Sequence, residues 1–336
     1  MNEDWIYKLP KVELHCHLDG SLSIKTIREL AGMSGIEVPP TDGELKKCLQ
    51  VTEDCGSLFE YLQKFELPIA CLQTKETIEY AAYSLMKDAA EENVIYMEVR
   101  FAPRVCTAKG LTCKDAVESL WKGLEKAEQE FGILGKIIVC GMRHEQPEKN
   151  AAMLEEIKEY IGNQVCAGDL AGSESDFPPL LQTPFFEKAK ELGLPFTIHA
   201  GECGSAENVQ DAISLGAKRV GHGIALMKND TIRGFTKEKG IALEMCPSSN
   251  FQTKAVSNRK EYPIRKFLEE GILVTINTDN RTVTGTTMTK EFKVLMEEFQ
   301  LTKEEILKIT ENAINAAFIQ EGTRESLRKK LESVKL

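Results

Sequence analysis

The sequence predicts an α/β protein: a (β/α)8 TIM barrel with a helical insertion after the first strand and extra C-terminal helices. Three observations carry that expectation. Short apolar runs alternate with stretches of helical spacing, an order that places parallel strands inside and helices outside. Eight such units suit a closed barrel better than an open doubly wound sheet. No Gly-x-Gly-x-x-Gly follows a strand and no Gly-x-x-x-x-Gly-Lys-Ser/Thr occurs, so dinucleotide and P-loop folds have no support.

Taken in order, the first strand covers residues 11–17, and the acidic opening Met1-Asn2-Glu3-Asp4-Trp5 is expected to lead straight into it without a signal peptide. Helical spacing over 23–31 begins at a capping serine, Ser23, and the Gly- and Pro-rich stretch 35–43 interrupts it. Residues 57–65 put apolar side chains at i, i+3, i+4 and i+7, one amphipathic face. Residues 74–93 form another helix, with Thr74 as N-cap and Glu76 in the first turn, where the helix dipole favours negative charge. Strands are then expected at 94–101, 136–141, 164–170, 195–199, 219–221, 241–246 and 273–278. The helices that follow them are expected at 114–131, 147–161, 184–192, 206–215, 229–239, 262–270 and 289–299, with two more to the end. No linker, repeat or low-complexity stretch divides the chain, so residues 1–336 read as a single domain, a size ordinary for a barrel.

Composition narrows the function. With 42% hydrophobic and 28% charged residues the chain is an ordinary globular protein with enough apolar content for a large core. A formal net charge of −10 argues against a nucleic-acid binder, which needs a basic stripe to meet phosphates. Ten cysteines without one C-x-x-C pair suit a reducing compartment rather than a disulfide framework. No apolar run is long enough to cross a bilayer, and the cytoplasm is the expected location.

In a barrel, chemistry belongs at the C-terminal ends of the strands. The chain has five histidines, and four of them, His15, His17, His199 and His222, fall there. His15 and His17 sit two apart on a strand and so face the same side. Taken alone each has a bland reading: a strand-end histidine is more often a hydrogen-bonded structural residue, a strand-end aspartate such as Asp279 is often a helix cap, and Glu202 could cap the helix after it. The convergence on one rim is what makes the set specific. His15, His17, His199 and Asp279 would supply three nitrogens and one oxygen to Zn²⁺, leaving a position for water. Zinc lowers the pKa of bound water to about 7. Glu202 is the candidate general acid/base. His222, between two glycines, could orient the hydroxide or stabilise charge as it attacks. Iron or cobalt would accept the same donors. His144 fits no such pattern and reads as structural.

These residues, in this order, resemble the adenosine deaminase family. The likeness runs from Leu14-His15-Cys16-His17-Leu18-Asp19-Gly20 through Ser57-Leu58-x-x-Tyr61-Leu62-x-x-Phe65, Glu98-Val99-Arg100-Phe101 and Asp169-Leu170-Ala171-Gly172. It continues in His199-Ala200-Gly201-Glu202, Gly221-His222-Gly223, Cys246-Pro247-x-Ser249-Asn250 and Asn277-Thr278-Asp279. The resemblance implies zinc-dependent hydrolytic deamination of adenosine and 2′-deoxyadenosine to inosine and 2′-deoxyinosine, with one zinc per chain and a small-molecule purine nucleoside as partner. It implies that Glu202 protonates purine N1, that His222 orients the zinc hydroxide adding to C6, and that Asp19, with His17 nearby, meets the ribose 5′-hydroxyl. It also implies that the Gly172 N–H donates to N3 and that Leu58, Tyr61, Leu62 and Phe65 form an apolar lid, for which core packing is the plain alternative. Asn280 departs from the pattern, because many members carry a second aspartate there. An asparagine amide donates to the N7 acceptor at any pH, whereas an aspartate must first be protonated. Strand four ends Gly168-Asp169-Leu170-Ala171 without the lysine a two-metal relative would use. Rival readings are a deaminase of adenine or an aminodeoxyfutalosine-like nucleoside, and a non-catalytic relative. Oligomeric state does not follow from the sequence.

Overall fold

A computed structural model of the chain describes residues 4–52, 55 and 58–333. Eight strands run parallel in chain order: β1 (Lys11–His17), β2 (Val94–Phe101), β3 (Leu134–Met142), β4 (Val165–Ala171), β5 (Thr197–Ala200), β6 (Arg219–His222), β7 (Ala242–Met245) and β8 (Val274–Ile276). β1 to β4 form one sheet and β5 to β8 another. Two seams join them. At the first, Gly168 N donates to Pro195 O at 2.9 Å and Gly168 bridges Phe196. At the second, Asp279 N donates to His15 O and His17 N to Asp279 O, both at 2.8 Å, while Cys16 bridges Asp279. The ring closes as the expected barrel, and its last seam is made by a residue just past β8.

The chain does not lead straight into β1. A short helix, α1 (Asp4–Lys8), comes first, and Ile6 and Leu9 are buried in the core. The insertion holds α2 (Ile24–Ser34), α3 (Asp42–Leu49), α4 (Leu58–Leu62), α5 (Glu66–Cys71) and α6 (Lys75–Ala90). Ser23 caps α2 by accepting from Thr26 N, and Thr74 caps α6 in a capping box with Thr77. The helix expected at 57–65 is shorter: α4 tightens into a 3₁₀ turn over Gln63–Phe65, and Ser57 and the Leu58 side chain lie outside the described residues. The expected helix over 74–93 ends at Ala90, before Asn93 turns left-handed at φ 62°. β8 is also shorter than expected, because the chain leaves the strand at Asn277 to turn Asp279 inward.

Outward-facing strand residues such as Val139, Ile198, Val220 and Leu243 pack with Leu120, Phe185 and Val209 from the surrounding helices. The inward face is different. Where barrels usually stack branched apolar residues, this one buries Glu98, Arg100, Asp169, Arg219 and Glu244. At the N-terminal end Arg219 bonds Glu244 Oε1 at 2.6 Å and Glu98, and lies 3.9 Å over the Phe318 ring. Phe318 N donates to Glu98 Oε1 at 2.7 Å, so the segment after helix Lys303–Ala316 closes the floor. Among the described residues no helix is long and apolar enough to cross a membrane, and the cysteines are not disulfide-bonded.

Candidate metal centre and active site

At the C-terminal ends of the strands His15, His17, His199 and Asp279 place their donor atoms within 4.8 Å of one another. His17 Nε2 lies 3.2 Å from His199 Nε2, and Asp279 Oδ1 lies 3.4 Å from His15 Nε2 and 3.5 Å from His17 Nε2. Tetrahedral zinc with ligands at about 2.1 Å holds its donors about 3.4 Å apart. His15 Nε2 is buried yet has no hydrogen-bond partner among the described residues, a costly state unless a cation meets it. The donor set therefore fits a bound metal. His144 is exposed in a turn and takes no part.

Each donor is aimed by a partner behind it. His15 Nδ1 bonds Glu244 Oε2 at 2.9 Å and His199 Nδ1 bonds Asp169 Oδ2 at 2.9 Å, which turns both Nε2 atoms inward. Arg100 ties these two carboxylates together, with Nη1 on Asp169 Oδ2 and Nη2 on Glu244 Oε2, both at 2.8 Å. Burial pushes the Asp169 carboxyl up, but His199 and Arg100 overrule it and hold it well below the usual carboxylate range. Burial likewise raises Glu244, and Arg100 and Arg219 bring it far down. Ser249 donates to Asp279 Oδ2 at 2.6 Å, leaving Oδ1 for the cluster. The sequence reading assigns no role to Arg100, Asp169, Glu244 or Ser249. For Arg100, Asp169 and Glu244 the signal was charge inside strand segments buried on both faces, where an ionised group must be paired; Ser249, a neutral residue on the helix Pro247–Gln252, carried no such signal.

Two backbone features shape the rim. His222 and Asp279 are left-handed, at φ 64° and 60°, conformations that cost non-glycine residues on the order of 1 kcal/mol each. Gly221 leaves room for the metal cluster itself, since a Cβ there would lie 3.1 Å from His15 Cε1.

Glu202 does not cap the helix after β5. Ser205 holds that N-cap position, and Glu202 instead sits in the preceding turn with Oε2 3.6 Å from His222 Nε2. The turn is gripped by Glu174, a residue absent from the sequence-based site. One Glu174 carboxylate accepts from Gly201 N at 2.6 Å, Glu202 N at 2.9 Å, Cys203 N at 3.1 Å and Gly204 N at 3.2 Å, and from Asn208 Nδ2 at 2.9 Å.

A cavity of about 220 Å³ opens onto this cluster, lined by His17, Asp19, Tyr61, Leu62, Phe65, Gly172, Glu202, His222, Asp279 and Asn280 among others. Thus the expected substrate residues converge on one space, except Leu58, whose side chain is not described. Burial pushes the Asp19 carboxyl up to about 6. Asn280 Nδ2 donates to the Tyr61 hydroxyl at 3.0 Å, a tie between lid and barrel rim. Leu62 is 42% exposed at the mouth, whereas Tyr61 is buried.

A parallel barrel with three imidazoles and a carboxylate at its C-terminal rim, and an acid and a fourth imidazole beside them, defines a metal-assisted hydrolase. Within that class the chain belongs to the adenosine deaminase family, whose model matches residues 10–334. It is 43% identical to an adenosine deaminase of Enterococcus faecalis over 336 residues, covering 100% of both chains. It is 42% identical to one from Clostridium perfringens, covering 96% of this chain and 98% of the relative. Among solved structures, adenine deaminase from Arthrobacter aurescens superposes with a TM-score of 0.89 at 24% identity, covering 96% of this chain and 98% of that one, and shows the shared fold. An amidohydrolase from Burkholderia ambifaria with bound Zn has a TM-score of 0.89 at 25% identity, covering 98% of this chain and 91% of that one.

Proposed function

We propose that this chain is a zinc-dependent adenosine deaminase, converting adenosine and 2′-deoxyadenosine to inosine and 2′-deoxyinosine with release of ammonia. The observation that carries the reading is the meeting of the His15, His17, His199 and Asp279 donors with Glu202 and His222 in one cavity. Residues 1–336 act as one domain, in the cytoplasm, with one zinc per chain held by those four side chains. The metal supplies a water acidified to near neutral pH.

The chain's own residues do the rest. Asp19, which lines the same cavity as Glu202, accepts the ribose 5′-hydroxyl together with His17. Gly172, left-handed at φ 109°, turns its N–H toward purine N3. Asn280 keeps one amide hydrogen on Tyr61 and offers the other to N7, an acceptor. Glu202 takes a proton from the attacking water and delivers it to N1, which makes C6 electrophilic. His222 orients the water against C6. Tyr61, Leu62 and Phe65 cover the base and exclude bulk solvent.

The nearest rival, adenine as substrate, is disfavoured by Asp19, which has no partner on a free base. Purified protein should lower the absorbance of adenosine as the 6-amino group leaves, with kcat/KM well above that for adenine. It should contain about one zinc per chain. Glu202→Ala should lose about 10³-fold or more of this activity while keeping zinc and fold, as measured by metal analysis and circular dichroism. Faster turnover of adenine, or activity surviving the substitution, would overturn the assignment.

A further inference from the structure

Behind His222, on the side away from the cavity, two buried residues do not touch the substrate space. Asn250 Nδ2 lies 3.0 Å from His222 Nδ1, and the Tyr262 hydroxyl donates to Asn250 Oδ1 at 3.2 Å. Both are buried, Asn250 at 0% and Tyr262 at 4% exposure, and neither lines the cavity. The Tyr262 ring packs against Phe251 and Phe299, centroids 5.2 and 5.6 Å away, which fixes where its hydroxyl points. Burial holds that phenol well above its ordinary pKa, so the hydroxyl keeps its proton.

We infer that Tyr262 and Asn250 are positioning residues that fix the tautomer of His222. Tyr262 occupies the oxygen of the Asn250 amide, so the amide presents N–H to His222. His222 Nδ1 must then be the acceptor, and the ring proton sits on Nε2. The far side of the ring agrees independently. Nε2 faces Glu202 Oε2 at 3.6 Å, and the ligand atoms of Glu202, His222 and Asp279 lie within 4.8 Å of one another. An N–H is attracted to those two carboxylates, whereas a lone pair would be repelled. His222 therefore points a donor into the site and cannot take the proton of the attacking water. Of the two duties open to it, orientation is the one the tautomer permits, and proton removal falls to Glu202.

The test uses zinc-loaded protein with ¹⁵N-labelled histidine. NMR distinguishes protonated from unprotonated ring nitrogens, and a His222→Gln variant assigns the signal among the five histidines. His222 should be neutral with its proton on Nε2. Asn250→Asp, which offers only acceptors, should draw the proton to Nδ1 and lower kcat by about 10- to 100-fold with KM nearly unchanged. Tyr262→Phe frees the amide to turn over and should leave His222 a mixture of tautomers with a smaller kcat loss. A proton on Nδ1 in the wild-type protein, or an Asn250→Asp spectrum and kcat like wild type, would overturn the inference. The wild-type spectrum and Tyr262→Phe decide it even if Asn250→Asp does not fold. Only the kinetic half rests on the proposed deamination. A protein inert toward adenosine but carrying Nε2–H sinks that reading and not this one, and adenosine turnover with Nδ1–H does the reverse.

Discussion

Arg100 is where the cost of this site is concentrated. Its guanidinium sits between Asp169 and Glu244, each of which orients one ligand histidine. A fully buried charge pair is seldom a net source of stability, but removing one partner strands the others. Arg100→Met should therefore destabilise the fold by about 3–5 kcal/mol in urea unfolding. It should also weaken zinc by about 10- to 100-fold in competition with a chelator, because both imidazoles lose their fixed orientation. Residues of this kind were the least legible in the sequence. His15, His17, His199, His222 and Asp279 announced themselves by chemistry and by position at strand ends. Glu174 and Asn250 did not, because their work is hydrogen bonding to a loop and to a ring, and nothing in a residue's letter says which backbone it will meet.

Among the elements, the turn after β5 shows how a loop can be made rigid without secondary structure. Glu174 accepts four successive backbone N–H groups and so fixes where Glu202 points. Glu174→Gln replaces one acceptor oxygen by an amide that faces donors, and donor against donor repels. The expected result is a kcat reduced about 10-fold or more at nearly normal KM and unchanged circular dichroism, read by steady-state kinetics on adenosine. Glu174→Asp, which keeps the charge on a shorter arm, should recover part of the loss. The strands were read to within two residues at either end, β1 and β2 in full, since runs buried on both faces are mostly apolar, with Glu98 and Arg100 the exceptions in β2. The stretch 57–65 was read less well. Its helical spacing is real, but the segment shares its apolar residues between a short helix, a 3₁₀ turn and the cavity mouth, and periodicity alone cannot divide them.

Across the whole molecule, stability should vary with pH through a buried acid that is not one of the metal-site donors. Glu291, on helix Met288–Phe299, accepts from Ser248 N at 3.1 Å and from the Thr286 hydroxyl, and burial pushes its carboxyl up to about 7. Between its ordinary value and that point the folded chain holds a proton that the unfolded chain has released. Stability contributed here is present at low pH and falls as pH rises through the window, by up to about 1.4 kcal/mol per pH unit. Glu291→Gln should flatten that fall, so its unfolding free energy should gain on the wild type between about pH 5 and about pH 7.

The seam between β1 and Asp279 has a consequence for how the protein is made. Leu14 N bonds Asn277 Oδ1 and Thr278 bonds Glu13, contacts that span 263 and 265 residues. His15 and His17 leave the ribosome early; their carboxylate partner is among the last strand-end residues to emerge. A growing chain thus carries two imidazoles but no four-point cage, so a metal held by all four donors could be captured only once the ring has met its own beginning. Full coordination would then require that synthesis and closure have both finished.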